Sequence, residues 1–383
     1  MRLIPGDAAP WFVARSVRNP RFHLDTAAGR YLLLYFAGSL NGQTGRAIEQ
    51  AVLANLGVFD GYQAAALLIS ADPGDEAGRE EQPGLKYFWD FDRVAAQHYG
   101  LADEQAPFGV QPAMVLLDRG LRVVAIKKLG EHALAEAELF LELARRTPPL
   151  PPSLPAQRQA PVLVMDRIFE PALCRALVDY CTTKGTIDSG YMQQVGERTV
   201  GVIDYGHKRR QDCWLEEPGL IEGCRSRIVR RLVPEIKKVF QFDATRIERF
   251  LIGCYDAGVG GYFRPHRDNT TMGTAHRRFA VTINLNAEEY EGGDLRFPEY
   301  GTSYYRAPTG GAVVFSCSVL HEALPVTRGV RYTYLPFLYD EQAKRIREAN
   351  LQAIDARRMR LDHNRQPVPI EDQDAAGDAA DLP

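Results

Sequence analysis

Residues 262–268 read YFRPHRD, and residues 309–339 read TGGAVVFSCSVLHEALPVTRGVRYTYLPFLY. Between them these stretches hold His266, Asp268, His321 and Arg331. The spacing is 53 residues from Asp268 to His321 and ten more to Arg331. Short apolar runs surround all four: Ile247–Tyr255, Phe279–Asn286, Asp294–Pro298, Ala312–Cys317 and Val330–Tyr339. Turns such as Glu291-Gly292-Gly293 and Thr309-Gly310-Gly311 separate them. Short strands with frequent turns indicate a β-sandwich or barrel. The four residues then fall at or near strand ends.

A histidine two residues before an acid is weak evidence by itself. With 49 acids in 383 residues, eight histidines should give about one such triplet by chance. Two occur: His23-Leu-Asp25 and His266-Arg-Asp268. His23 has no nearby histidine before His98 and reads as a surface or loop residue. His266 and Asp268 have His321 and Arg331 in the same all-β segment. Two imidazoles and one carboxylate form the facial triad of non-haem Fe(II), which leaves coordination positions open. In a strand, residues two apart share a face, so His-x-Asp suits a strand end. Pro325, Arg328 and Gly329 suggest a turn, which would put His321 and Arg331 on adjacent antiparallel strands. Alternation would then aim Arg331, Thr333, Leu335 and Phe337 to one face. A buried arginine needs an anion, and its planar fork fits a carboxylate through two hydrogen bonds.

Upstream of this segment, Pro171–Lys184 and Pro218–Phe240 have helical spacing, and Gly185–Asp212 shows no clear period. That segment is either a mobile substrate loop or an ordinary surface loop. Its Lys208-Arg209-Arg210 run reads either an acidic substrate or a solvated face, the latter being commoner. Asp340–Met359 reads as a charged surface helix. Glu371–Pro383 holds five acids and no base, and disorder is expected there.

Residues 147–161, TPPLPPSLPAQRQAP, contain six prolines. Proline has no backbone donor, so this stretch should be an extended spacer between domains. Before it, strands and helices alternate. Tyr31–Phe36, Ala64–Ser70, Ala113–Leu117 and Arg122–Ile126 are expected strands, the last two a hairpin about Asp118-Arg119-Gly120. Gln43–Leu56, Phe91–Tyr99 and His132–Arg145 are expected helices. An α/β sandwich follows.

Composition bounds the rest. The net charge is −3, which argues against a nucleic-acid partner. Without an apolar run of about 18 residues no membrane span is expected. The start, MRLIPGDAAPW, lacks the apolar core of a signal peptide. The six cysteines all lie at or after Cys174 and form no CxxC pair. They suit a reducing cytoplasm rather than a disulfide scaffold.

The run YFRPHRD, then RRFAVTINLN, YEGGDLRFPEYG and TGGAVVFSCSVLHEALPVTRGVRYTYLPFLY, resembles the prolyl-hydroxylase-like branch of the 2-oxoglutarate/Fe(II) oxygenases. The resemblance covers roughly residues 161–340. It implies an α+β double-stranded β-helix, or jelly roll, with flanking helices. It implies His266, Asp268 and His321 as iron ligands and Arg331 as the anchor of the 2-oxoglutarate C5 carboxylate. Collagen-type members often have lysine there, so Arg331 points to the broader bacterial and oxygen-sensing-like group. Tyr255 matches a tyrosine near the cosubstrate. Asn284 stands where some relatives carry a cosubstrate-binding tyrosine, and Thr333 joins it as an expected contact. The implied ligands are Fe(II), 2-oxoglutarate and O2, with ascorbate as an accessory. The implied reaction hydroxylates an unactivated C–H of a peptide, protein or amino-acid residue. It converts 2-oxoglutarate to succinate and CO2. The same chemistry on a small metabolite or natural-product intermediate is one alternative; a non-catalytic metal-binding sensor or scaffold is another. Asp268 argues against a halogenase, which replaces the carboxylate.

Residues 1–146 resemble the thioredoxin-like fold, specifically peroxiredoxins, through IPGDAAPWF, YLLLYFAGS and GVQPAMVLLDRGLRVVAI. Pro112 matches a proline that is cis in that fold. Peroxiredoxin chemistry needs a low-pKa thiolate after the first strand. Here the region reads GSLNGQTGRAIE, without cysteine, so peroxidase activity is not expected. Recognition of a protein or peptide substrate, docking of a second copy as a homodimer, or a purely structural role remains. The expected organisation is two domains, 1–146 and 162–340, a linker at 147–161, and a helix with an acidic tail at 341–383.

Overall fold

The structure is a computed structural model that describes residues 2–152, 159–361, 367–369 and 379–381, with side chains as far as Asp355. The chain divides into two compact units, Met1–Leu154 and Pro155–Pro383, and the division falls inside the proline-rich stretch. Residues 153–158 of the expected spacer lie outside the described residues.

In the first unit the elements run β1 (Val13–Ser16), β2 (Phe22–His23), β3 (Tyr31–Gly38), α1 (Gln43–Ala54), β4 (Ala64–Ser70), β5 (Leu85–Trp89), α2 (Val94–His98), β6 (Ala113–Leu117), β7 (Val123–Lys128) and α3 (Ala133–Arg145). They form one sheet of order β2-β1-β5-β4-β3-β6-β7. The β3–β4 and β4–β5 pairs are parallel and β6–β7 is an antiparallel hairpin. Leu32, Leu34 and Phe36 enter one core, with Ala95, Ala96 and Tyr99. Tyr31, Leu33 and Tyr35 enter the other, with Ile48, Val52, Phe140 and Leu141 of α1 and α3. Burial on both faces is why β3 reads as an unbroken apolar run. This is the expected thioredoxin-like sandwich. The thiol position is taken by Ser39–Gly42, just before α1. There the Asp75 carboxylate accepts from the backbone amides of Leu40 (2.5 Å) and Asn41 (2.9 Å). One expectation fails: no cis peptide occurs among the described residues, so Gln111–Pro112 is trans. The flanking chain is held instead by the Gln111 amide donating to Leu101 O and the Leu129 amide to Pro112 O.

In the second unit β8 (Leu163–Met165) and α4 (Pro171–Lys184) lead into β9 (Ile187–Asp188), β10 (Tyr191–Val195), β11 (Arg198–Ile203), β12 (Lys208–Arg209) and β13 (Gln211–Trp214). Next come α5 (Pro218–Arg227), a π-helical turn at Ile228–Leu232 and α6 (Val233–Phe240). Pro234 has no N–H to continue the ladder, and the register widens just before it. The barrel strands follow: β14 (Arg246–Glu248), β15 (Leu251–Asp256), β16 (Tyr262–His266), β17 (Phe279–Asn284), β18 (Glu291–Gly292), β19 (Leu295–Arg296), β20 (Tyr304–Tyr305), β21 (Ala312–Ser316), β22 (His321–Ala323), β23 (Val326–Arg328), β24 (Val330–Tyr334) and β25 (Phe337–Tyr339). The chain ends in α7 (Glu341–Asn350), β26 (Ile354–Leu361), β27 (Pro367–Pro369) and β28 (Ala379–Asp381).

A large sheet contains β14-β25-β17-β24-β15-β13-β9, with β21 beside β17 and β8 beside β21. A smaller sheet of order β12-β16-β22-β19-β20 completes the jelly roll. Ile252, Cys254, Val281, Ile283 and Tyr334 of the large sheet pack with Leu177, Cys181, Ile228, Leu232 and Ile236 of the helices. Alternation turns the intervening side chains to the interior. All six cysteines are buried free thiols in this unit.

Four expectations are corrected. Gly185–Asp212 is not a loop: β10 and β11 form a five-pair antiparallel hairpin. Its polar residues hid the period, because one strand face is not core. Lys208 and Arg210 are 4% and 8% exposed, not solvated, while Arg209 is exposed. His321 and Arg331 are not on adjacent strands: β23 intervenes and the chain changes sheets. The terminal helix stops at Asn350, and Ile354–Leu361 pairs in parallel with β11. The expected disorder after Glu371 falls mostly outside the described residues; Ala379–Asp381 are described, paired with β14.

Candidate metal and cosubstrate site

His266 ends β16 and His321 begins β22, and the two are directly paired across the strands. Their ring centroids are 4.2 Å apart. Asp268 lies two residues past β16, with its amide donating to Cys317 O. Its Oδ1 is 3.6 Å from His266 Nε2 and its Oδ2 is 3.3 Å from His321 Nε2. One ligand atom from each residue lies within 4.8 Å of the others. Among the described residues no other group of histidine, cysteine and acid side chains is so gathered.

The second nitrogens set the tautomers. Nδ1 of His266 is 2.8 Å from Arg264 O, and Nδ1 of His321 is 3.0 Å from Val319 O. A carbonyl only accepts, so each Nδ1 carries the proton and each Nε2 presents a lone pair. Burial, then His321, pushes His266 well below its ordinary value, which favours the neutral ring. For Asp268 burial acts upward, but His321, His266 and Arg277 outweigh it and hold the carboxyl well below the usual range. Neutral imidazoles beside an ionised carboxylate are ready ligands. Phe263 stacks on His266 at 3.5 Å and Phe315 lies 4.5 Å from His321, so the rings are fixed by packing. The donor set fits Fe(II), with no thiolate to favour zinc.

Arg331 lies on β24 across from Tyr255 of β15. Its Cζ is 5.1 Å from the Tyr255 ring centroid. The residue is 2% exposed, yet Nε and Nη1 have no hydrogen-bond partner among the described residues. Unmade hydrogen bonds on a buried guanidinium are costly, and a carboxylate would satisfy them. Gly293 makes room: a Cβ there would sit 3.0 Å from Arg331 Cδ. This gives the GGDLRFP stretch a structural reason.

These groups face one cavity of about 1200 Å3. Tyr255, Arg331, Leu335 and Phe337 line it with the triad. Thr333 and Asn284 do not. Thr333 Oγ1 donates to Ile283 O, and the Asn284 side chain donates to Ala307 O. Thr333 is thus tied to the scaffold, while Asn284 Oδ1 has no partner among the described residues. Lys208 and Arg210, which the sequence reads as either substrate-facing or solvated, line the cavity too. Lys208 donates to Ser189 Oγ (2.7 Å) and sits 4.8 Å over Phe263. Arg210 pairs with Asp212 at 2.6 and 2.9 Å. The alternate burial of Lys208-Arg209-Arg210 is a strand period, and that was the available signal. Glu248, Arg249 and Arg277 also line the cavity. His23 is exposed at the end of β2, as expected.

Residues 250–339 match the model of the 2OG-Fe(II) oxygenase superfamily. A PKHD-type hydroxylase of Synechococcus sp. (strain JA-2-3B'a(2-13)) is 36% identical over 92 residues, 22% of this chain and 40% of that protein. The chain thus spans less than half the length of this relative. Among solved structures, a Pseudomonas putida prolyl-4-hydroxylase is 22% identical over 47% of this chain and 92% of that one, with TM-score 0.36. A thiol peroxidase from Chromobacterium violaceum is 17% identical over 38% of this chain and 91% of that one, with TM-score 0.32. The triad, the orphaned Arg331 and the match over residues 250–339 agree: the second unit carries a domain of the 2OG-Fe(II) oxygenase superfamily.

Proposed function

We propose that the protein is a 2-oxoglutarate- and Fe(II)-dependent hydroxylase acting on a peptide, protein or amino-acid residue. The carrying observation is a metal-ready triad facing the same cavity as a buried guanidinium without an anionic partner. His266, Asp268 and His321 would hold the ion on one face. Arg331 would pair with the distal carboxylate of 2-oxoglutarate, and Tyr255 would support it. Bound iron and 2-oxoglutarate supply the oxidation: one oxygen atom of O2 enters the substrate C–H, the other enters succinate, and CO2 leaves. Phe263, Phe297 and Phe315 wall the two histidines, which limits access of water.

The β10–β11 hairpin contributes Tyr191, Met192, Gly201 and Ile203 to the cavity and would form the substrate wall. The first unit is read as a recognition or dimerisation module that has lost the peroxidase thiol. Free buried thiols and ferrous iron both suit a reducing cytoplasm, with ascorbate as the reductant. Oxygen admitted to protein loaded with Fe(II) and 2-oxoglutarate tests the reading. Succinate release, raised by peptide or amino-acid fractions that gain one oxygen by mass, is expected. Absence of succinate under reducing conditions would refute it. Stimulation only by small metabolites would move the substrate class.

A further inference from the structure

A second guanidinium opens on the cavity. Glu248 ends β14 and Arg249 follows it, and both line the cavity although consecutive strand residues point to opposite faces. The cause is the Arg249 backbone, whose φ is +61°. This left-handed conformation is costly for a residue with a side chain and persists only where the surroundings impose it. Phe250, next along, returns to the helix-facing core.

Arg249 uses only Nε, donating to Leu335 O at 3.0 Å. Among the described residues no protein acceptor is bonded to its Nη groups. Its Cζ lies 4.3 Å from the Phe337 ring centroid, and the Arg277 Cζ lies 4.0 Å from the same ring. Arg277 pairs with Glu248 and reaches Asp268 O at 3.5 Å, so Arg249 is one aromatic ring from the segment carrying an iron ligand. Burial, with Arg277 and Arg210 nearby, lowers Arg249 to about 10, which leaves it charged at neutral pH.

The charges around the cavity then decide what Arg249 binds. Arg277 is matched by Glu248, and Arg210 by Asp212. At the rim Lys184 pairs with Glu216 and Arg198 with Asp355. Asp188 accepts from the neutral Tyr205 hydroxyl, with no cation paired to it among the described residues. An Fe(II) ion with Asp268, and 2-oxoglutarate with Arg331, together cancel. Lys208 is held by Ser189 and Gly190. Among the described residues Arg249 has no acid paired with it.

We infer that Arg249 anchors a carboxylate of the substrate, so that the site takes an acidic residue or a free amino-acid carboxylate. This rests on the oxygenase reading above. A carboxylate fits the planar fork of Arg249 through two hydrogen bonds.

The test uses the full chain loaded with Mn(II) and saturating 2-oxoglutarate, with trifluoroacetate as a fluorine-observed monoanion. In the wild type the bound ion should speed trifluoroacetate relaxation saturably while 2-oxoglutarate is present. Arg249→Gln should weaken that binding by about tenfold, the worth of one charge-assisted hydrogen bond. Arg249→Lys should recover part of it. The anaerobic Fe(II)–2-oxoglutarate absorption band should persist in Arg249→Gln, which also shows that the variant is folded. Arg331→Gln should instead need more 2-oxoglutarate to show the band. Unchanged trifluoroacetate binding in Arg249→Gln, or none in a wild type that shows the band, overturns the inference. Tighter competition by inorganic phosphate than by acetate overturns the carboxylate assignment. A wild type without the band overturns the oxygenase reading itself, and this inference with it.

Discussion

His23-Leu-Asp25 and His266-Arg-Asp268 share a triplet and a local setting, since each histidine ends a β-strand. Their fates differ. His23 is exposed, its backbone leads straight into a 3-10 turn, and its carbonyl accepts from Thr26. His266 is paired across strands with a second histidine, packed under Phe263 and fixed by a backbone carbonyl at Nδ1. The motif does not make the site; the sheet that brings His321 opposite does. The same contrast separates two polar centres. In the first unit Asp75 takes up the amides of Leu40 and Asn41 and the Ser70 hydroxyl. In the second, Arg331 and Arg249 keep donors unused. Satisfied groups hold a fold; unsatisfied buried ones await a ligand.

The sharpest way to break this comparison is to delete a ligand. His266→Ala or Asp268→Ala should abolish ferrous binding in anaerobic equilibrium dialysis. Retained stoichiometric iron would show that the ion sits elsewhere. Next comes Glu248→Gln, which leaves Arg277 and His276 with a buried neutral partner. It should lose about 3 kcal/mol of stability in denaturant titration at neutral pH. Burial acts upward on the Glu248 carboxyl, but Arg277 and His276 hold it well below its ordinary value. Its contribution is thus complete above the ordinary glutamate range, about 4.3. It fades as pH falls below that range, so wild type and variant should converge in acid. A constant gap from neutral pH to pH 3 would contradict the assignment. Arg331→Gln should raise the 2-oxoglutarate concentration for half-saturation by about ten- to a hundredfold, with iron binding kept. An unchanged requirement would move the anchor elsewhere. Smallest of all, His23→Ala should shift stability by less than about 0.5 kcal/mol and leave metal content unchanged.

Much of this was legible before the structure. The triad and Arg331 were readable because each sits in or just beside a short strand with turn residues around it. The relation of His321 to Arg331 was not, because Val326–Arg328 is a strand of a separate two-stranded sheet, too short to signal itself. The Glu248–Arg249–Arg277 group was hidden by one backbone angle, which no residue pattern announces. Lys208 and Arg210 were legible in principle through their alternation with Arg209. The terminal helix was overrun past Asn350 because charged residues continue, although Ile354 opens a strand on β11. Asn284 and Thr333 do not line the cavity, for another reason. Facing inward is necessary for touching a ligand, but a nearby carbonyl claims each side chain first.

The central claim is that the triad and Arg331 form one composite site, and anaerobic titration tests it most directly. Adding 2-oxoglutarate to the Fe(II)-loaded protein should produce the charge-transfer absorption of the chelate at one equivalent of each. The band should be absent in Asp268→Ala and displaced to higher 2-oxoglutarate in Arg331→Gln. A wild type that binds iron but shows no such band at any 2-oxoglutarate concentration would contradict the account.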